Sequence, residues 1–242
     1  MQNNIKQLLH LLFIDIETVS QQKDYMLLSP EWQQLWNEKN AKTVPENESI
    51  ENNYKLRAGI LAEFGKIICI SVGFLYEDKE QKICLKVKNL FNDDEVTLLK
   101  EFINTVNMFF RQHNHFEFAG HNIREFDIPY ICRRMIVNQL PLPSYLQLNN
   151  LKPWEIKAVD TLQWWRFGDY KNYISLNLLA NVLGVPSSKD DISGADVHRV
   201  YYEENNLLRI ATYCGKDVAV VANIILRFKG LQVVEEENIL FI

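Results

Sequence analysis

Apolar and polar positions along this chain change period repeatedly, and each change marks an element. Residues 8 to 18 form an apolar run that predicts a first, buried strand. "SPEW" then predicts a helix start, with Ser29 as N-cap and Pro30 in the first turn, and Trp32 sharing a face with Leu35 or Trp36. Pro45 and the polar "ENESIENN" predict a loop before a second helical stretch. "KIICISVGFLY" (66 to 76) and the alternating "KICLKVKNL" (82 to 90) predict a hairpin. Residues 93 to 110 carry acids at their start and apolar residues at helical period. A short strand at 116 to 122 precedes the helical "FDIPYICRRMIVN", with Pro129 in its first turn.

Farther on, "IKAVDTLQW" predicts a strand reaching Asp160, and 175 to 184 a short helix from Ser175 to Gly184. The loop "VPSSKDDISG" leads into the helical stretches "ADVHRVYYEEN" and "NLLRIATYCGKDVAVVANIILRF". The tail "LQVVEEENILFI" reads as either strand or loop. Strands followed by alternating helices and strands, without repeats or low-complexity linkers, indicate one α/β domain over 1–242 with a central mixed sheet. A helical insertion is expected at about 20–62.

The chemistry lies where this patterning is violated. Asp15 and Glu17 close the apolar run, and strand residues two apart share a face. Two unpaired carboxylates on a buried sheet cost several kcal/mol each in order of magnitude, or take up protons. A third acid, Asp127, stands in "AGHNIREFDIPYICRR", and a fourth, Asp217, lies on a largely apolar helix one turn after Tyr213. Each has a plain alternative: strand-end D-x-E pairs are common, Asp127 suits an N-cap, Tyr213 suits a core, and Asn122 suits a turn. Clustered carboxylates are what divalent cations require, and the ions would neutralise charge that the strand cannot. Asp160 is either a supporting residue of such a site or a helix N-cap.

Composition narrows the classes. A formal net charge of −5 gives the whole chain no attraction for nucleic acid or anionic lipid, leaving only local patches. Cys69, Cys84, Cys132 and Cys214 are far apart, as expected of core thiols in a reduced, cytoplasmic protein. No secretory signal and no run of membrane-spanning length is read in the sequence, so no membrane partner is expected.

Taken together, "FIDIET", "GHNIREFDIPYICRR" and "YCGKDV" resemble the three motifs of the DEDD superfamily of 3′-5′ exonucleases, which have a ribonuclease H-like fold. The Y-x-x-x-D form of the third motif resembles the DEDDy branch. Within it, "AEFGKIICISVGF" and "DTLQWWRFGDYKNYISLNLLANVLGVP" are similar to the stand-alone predicted exonucleases related to the proofreading domain of family B DNA polymerases. The likeness spans about residues 9 to 228, with no departure at the motif positions, and no polymerase domain is expected to follow. It implies a metal-dependent exonuclease removing nucleotides from the 3′ end of DNA or RNA, with single-stranded DNA the expected partner. Asp15, Glu17, Asp127 and Asp217 would hold two divalent ions, Mg²⁺ or Mn²⁺, and Tyr213 would orient or help activate the attacking water. Asn122 would hold the substrate strand or the motif loop, and Ile16, Thr18 and Phe126 would contact substrate.

Phe13 and Phe126 suit either base stacking or core packing, and Arg124, Arg133, Arg134, Lys171 and Lys216 either phosphate contacts or a solvated face. Gly194 would let backbone approach a strand. Two other functions fit the scaffold: a catalytically weak nucleic-acid-binding module, and a nucleotide phosphohydrolase.

Overall fold

The structure, a computed structural model, describes residues 5–41, 48–152, 155–187 and 191–242. Pro45 and part of the loop expected after Gly184 lie outside those residues. Among the described residues the strands are β1 (Leu11–Ser20), β2 (Gly65–Glu77), β3 (Ile83–Phe91), β4 (Glu117–Gly120), β5 (Ala158–Asp160) and β6 (Ile239–Phe241). The helices are α1 (Pro30–Asn40), α2 (Ile50–Arg57), α3 (Glu95–Gln112), α4 (Asp127–Val137), α5 (Thr161–Arg166), α6 (Leu176–Val182), α7 (Val197–Tyr202) and α8 (Leu207–Phe228). The sheet runs β5-β4-β1-β2-β3-β6. Strand β2 is antiparallel to both β1 and β3, whereas β1 with β4, β4 with β5, and β3 with β6 are parallel. This is an α/β protein with a mixed sheet flanked by helices.

Strand β1 lies inside the sheet and is covered on both faces, so its apolar residues need no alternation. Leu12, Ile14 and Ile16 pack with α3 and α4 through Leu98, Leu99, Phe102, Ile128 and Ile131. Leu11 and Phe13 point the other way, against Val218, Val221 and Ala222 of α8. That second face also carries Asp15 and Glu17, by the two-residue period. Helix α8 lies close to the sheet because small residues allow it. A Cβ on Gly215 would come within 2.4 Å of Asn89 Oδ1, and one on Gly73 within 2.8 Å of Val218 Cγ1. Close packing of α8 is what carries its polar first half toward the acids of β1.

Several expectations shift on folding. Residues 8 to 10 form a turn rather than strand, and β1 runs on to Ser20. Trp36 is buried, whereas Trp32 and Leu35 of the same helix stay exposed, because α1 meets its neighbours only along one narrow edge. The ambiguous tail ends as strand β6, completing the sheet beside β3. Phe13 is fully buried in the core and Arg134 is 4% exposed, so neither reaches a substrate. Arg134 instead donates to Glu95 from Nε at 2.9 Å and from Nη2 at 2.6 Å, and from Nη1 to Ala62 O at 2.8 Å. Glu95 also accepts the Ile67 amide at 2.7 Å and the Asn138 side chain at 2.8 Å. Buried charge on this scale is tolerated because every oxygen and most donors are matched. Among the described residues no helix is long and apolar enough to cross a membrane.

Candidate active site

Three elements converge at the middle of β1. Asp15, Glu17 and Asp217 each offer a carboxylate oxygen, all within 4.8 Å of one another. The first two share a strand face; the third arrives on α8. The β1–β2 register shifts between Glu17 and Thr18, a bulge that re-aims the strand just beyond the acids. Asp127 completes the group from a different direction. It is the first residue of α4, where Phe126 holds the N-cap position without a side-chain cap. The Asp127 carboxylate accepts the backbone amide of Ile16 at 3.1 Å and its own amide as well. Ile16 pairs with Ile70 of β2, but the β1–β4 register stops at Phe13 opposite Ala119, and beyond it the carboxylate takes the Ile16 amide.

Electrostatics follow from that crowding. Burial, then the charges of Asp217, Asp127 and Glu17, hold the Asp15 carboxyl well above the usual carboxylate range. Glu17 is raised by burial first and then by Asp217. Asp127 is pushed from an ordinary 3.8 to about 7, chiefly by burial, against the lowering effect of its own amide and that of Ile16. Among the charges, Asp217 acts most on Asp15 and Glu17, whereas Asp160 and then Asp217 act on Asp127. Asp15 Oδ2 is also buried without a hydrogen-bond partner. An all-carboxylate donor set with an orphaned oxygen fits a hard divalent cation, which would satisfy the oxygen and remove the repulsion.

Tyr213 lies one turn before Asp217 and hydrogen-bonds to its side chain. Burial, then Asp217, Glu17 and Asp15, drive the Tyr213 phenol far upward, so it keeps its proton and donates it. Cys214 enters the site unannounced by sequence, where it read as a core thiol. Its Sγ donates to the Asp15 carbonyl at 3.3 Å, and its thiol lowers the Asp15 carboxyl slightly. The only sequence signal was its place between Tyr213 and Asp217.

The loop before α4 is held by Asp160. This carboxylate is 1% exposed and accepts the amides of Asn122 at 2.9 Å and Arg124 at 3.1 Å. It also caps α5 through Leu162 N at 3.0 Å and Gln163 N at 3.4 Å, so the N-cap reading of Asp160 holds. Asn122 adopts a left-handed φ of 63°, and its Oδ1 is buried without a partner. Its carbonyl accepts from Phe126 N at 3.0 Å.

Other candidates divide clearly. Ile16 is 5% exposed and packed in the core, which leaves it only its backbone, already bonded to Asp127. Phe126 is half-buried, with its ring 5.3 Å from that of Tyr130. Thr18 and Gly194 line one cleft with Lys55 and His198. Arg124 is committed to the carbonyls of Ile156 and Ala158, both at 2.8 Å, rather than to a phosphate. Arg133 and Lys171 are exposed, and Lys216 shares a small cleft with Tyr213.

Comparison with known proteins places this geometry. Residues 60–237 match the family described as a predicted 3′-5′ exonuclease related to the exonuclease domain of PolB. That span includes Asp127, Asp160, Tyr213 and Asp217, while Asp15 and Glu17 precede it and join them in space. Among solved structures, the family B DNA polymerase from the hyperthermophilic archaeon Pyrobaculum calidifontis is 14% identical with a TM-score of 0.45. The match covers 87% of this chain and 23% of that polymerase chain. No curated protein matches the chain. With well over half its length matched, the chain belongs to the family of predicted 3′-5′ exonucleases related to the exonuclease domain of PolB.

Proposed function

We propose that this chain is a DEDDy-type, metal-dependent exonuclease that hydrolyses the terminal phosphodiester at the 3′ end of a nucleic-acid strand. The whole chain would act as one catalytic domain, with α1 and α2 as an insertion between β1 and β2. The observation that carries this reading is the group of three carboxylates within 4.8 Å, with Asp127 beside them and Tyr213 hydrogen-bonded to Asp217. Asp15, Glu17, Asp127 and Asp217 would hold two divalent cations, Mg²⁺ or Mn²⁺. Such ions, when bound, supply charge stabilisation to the phosphoryl and leaving oxygens.

The protein's own groups do the positioning. Asp127 stays fixed because the Ile16 amide holds one of its oxygens. Burial and the neighbouring carboxylates keep the Tyr213 phenol protonated in the metal-free site, and its role would be to orient the attacking water by a hydrogen bond. Asp160 holds the 122–126 loop in place, and the free Oδ1 of Asn122 is an acceptor suited to a donor on the terminal nucleotide or within the loop.

The test is a time course on 3′- and 5′-labelled DNA and RNA oligonucleotides with Mg²⁺, Mn²⁺ or EDTA. Mononucleotides released stepwise from the 3′ end, only with metal, are expected. Activity unaffected by EDTA, or confined to free nucleotides, would overturn the proposal.

A further inference from the structure

Beyond the carboxylates, residues 167–173 form an unusual surface. Every one of them is exposed, and three are aromatic: Phe167 at 86%, Tyr170 at 78% and Tyr173 at 67%. Phe167 adopts a left-handed φ of 45°, a strained conformation for a bulky residue, followed by Gly168 at 90°. The backbone therefore holds strain while the ring stays in water, gaining no burial.

This loop is ordered by its own bonds. Asp169 N donates to Arg166 O at 2.7 Å, Asn172 N to Asp169 O at 3.1 Å, and Arg166 Nε to Asn172 O at 3.0 Å. Both its ends are fastened to the loop that leads into Asp127. At the start, Arg166 pairs with Glu125 at 3.0 Å, aided by Gln163 on the same carboxylate. At the finish, His121 bonds the Ile174 carbonyl at 3.0 Å, and its other nitrogen meets Thr161 Oγ1 at 2.9 Å. The exposed rings are thus docked beside the segment carrying Asn122 and Phe126.

We propose that Phe167, Tyr170 and Tyr173 form a stacking platform for the bases of a single strand whose 3′ end lies at the carboxylates, with Lys171 meeting its phosphates. This deepens the exonuclease reading and rests on it. Aromatic faces accept any base, so the platform is indifferent to sequence, but it requires bases that are unpaired. A duplex keeps its bases stacked on one another and offers this loop only backbone. Exposed Asp169, Lys171 and Asn172 among the rings make the loop polar, which suits a hydrated nucleic-acid strand better than an apolar protein surface; the Asp169 carboxylate accepts the Lys171 amide at 3.3 Å.

The experiment compares wild type with Phe167→Ala/Tyr170→Ala/Tyr173→Ala, which keeps Arg166, Asp169 and Asn172 and hence the loop's bonds. Binding of fluorescein-labelled oligo(dT) is read by anisotropy with EDTA present. Turnover is read on oligo(dT) and on the p-nitrophenyl ester of thymidine 5′-phosphate, which is too short to reach the loop. The triple variant is expected to weaken oligo(dT) binding and raise its KM by about 100-fold, from roughly fivefold for each of the lost stacks. Its kcat and its rate on the ester should be unchanged. Phe167→Tyr/Tyr170→Phe/Tyr173→Phe should bind as wild type does. Wild-type binding by the alanine variant, or loss in the aromatic-for-aromatic variant, would overturn the platform. Inactivity of wild type on both substrates would overturn the exonuclease reading instead, with the anisotropy still deciding the platform. If the triple alanine variant fails to fold, Tyr170→Ala alone serves, with a roughly fivefold loss expected.

Discussion

Replacing Asp127 by Asn should stabilise the metal-free protein, increasingly as pH rises from about 4 to about 7. The carboxyl is 3% exposed, and its surroundings move it from 3.8 to about 7. At about 1.4 kcal/mol per unit, some three units amount to roughly 4 kcal/mol between the two protonation states. The folded value is raised, so the sign is as follows. Below about pH 4 the group is protonated in both folded and unfolded chains, and its full favourable contribution is present. As pH rises toward 7 the unfolded chain releases the proton first, and that contribution is lost by the time the folded carboxyl ionises. Asn keeps the size and an oxygen acceptor for the Ile16 amide, but cannot ionise. Urea denaturation in EDTA should therefore show the Asn variant more stable by up to roughly 4 kcal/mol near pH 8, converging with wild type near pH 4. Adding Mg²⁺ should close much of the gap, since a bound cation stabilises the wild type by mass action. A difference independent of pH would refute the account of Asp127 as a buried carboxyl whose ionisation costs the fold stability.

Three other outcomes follow from particular contacts. Asp15→Ala or Asp217→Asn should lower turnover on a labelled oligonucleotide by roughly 10²-fold or more, and combining them should add little, because the carboxylates act as one unit. Tyr213→Phe should lower single-turnover cleavage by roughly 10- to 1000-fold while calorimetry finds cation binding nearly intact; a wild-type rate would remove the phenol from the reaction. Arg134→Met should destabilise the fold by about 3–5 kcal/mol in urea melts, since it leaves Glu95 buried and charged, and its signature is unchanged kcat in the protein that remains folded.

Much of this protein was legible before folding because the signals are local. The two-residue period of β1 put Asp15 and Glu17 on one face, and the helical period put Tyr213 one turn before Asp217. Ser29, Ser175 and Asp160 cap the helices that follow them, since a cap is decided within a few residues. What tertiary structure decided are the relations between elements. No pattern at Asp15 announces that residue 217 will lie within 4.8 Å, because that distance depends on how closely α8 packs over the sheet through Gly215 and Gly73. As a cation Arg134 reads as a candidate for phosphate contact, yet burial against Glu95 is a property of two distant helices meeting. The tail could become a strand only once β3 offered it an edge. Local period determines which way a side chain faces along its own element; only packing determines what it faces.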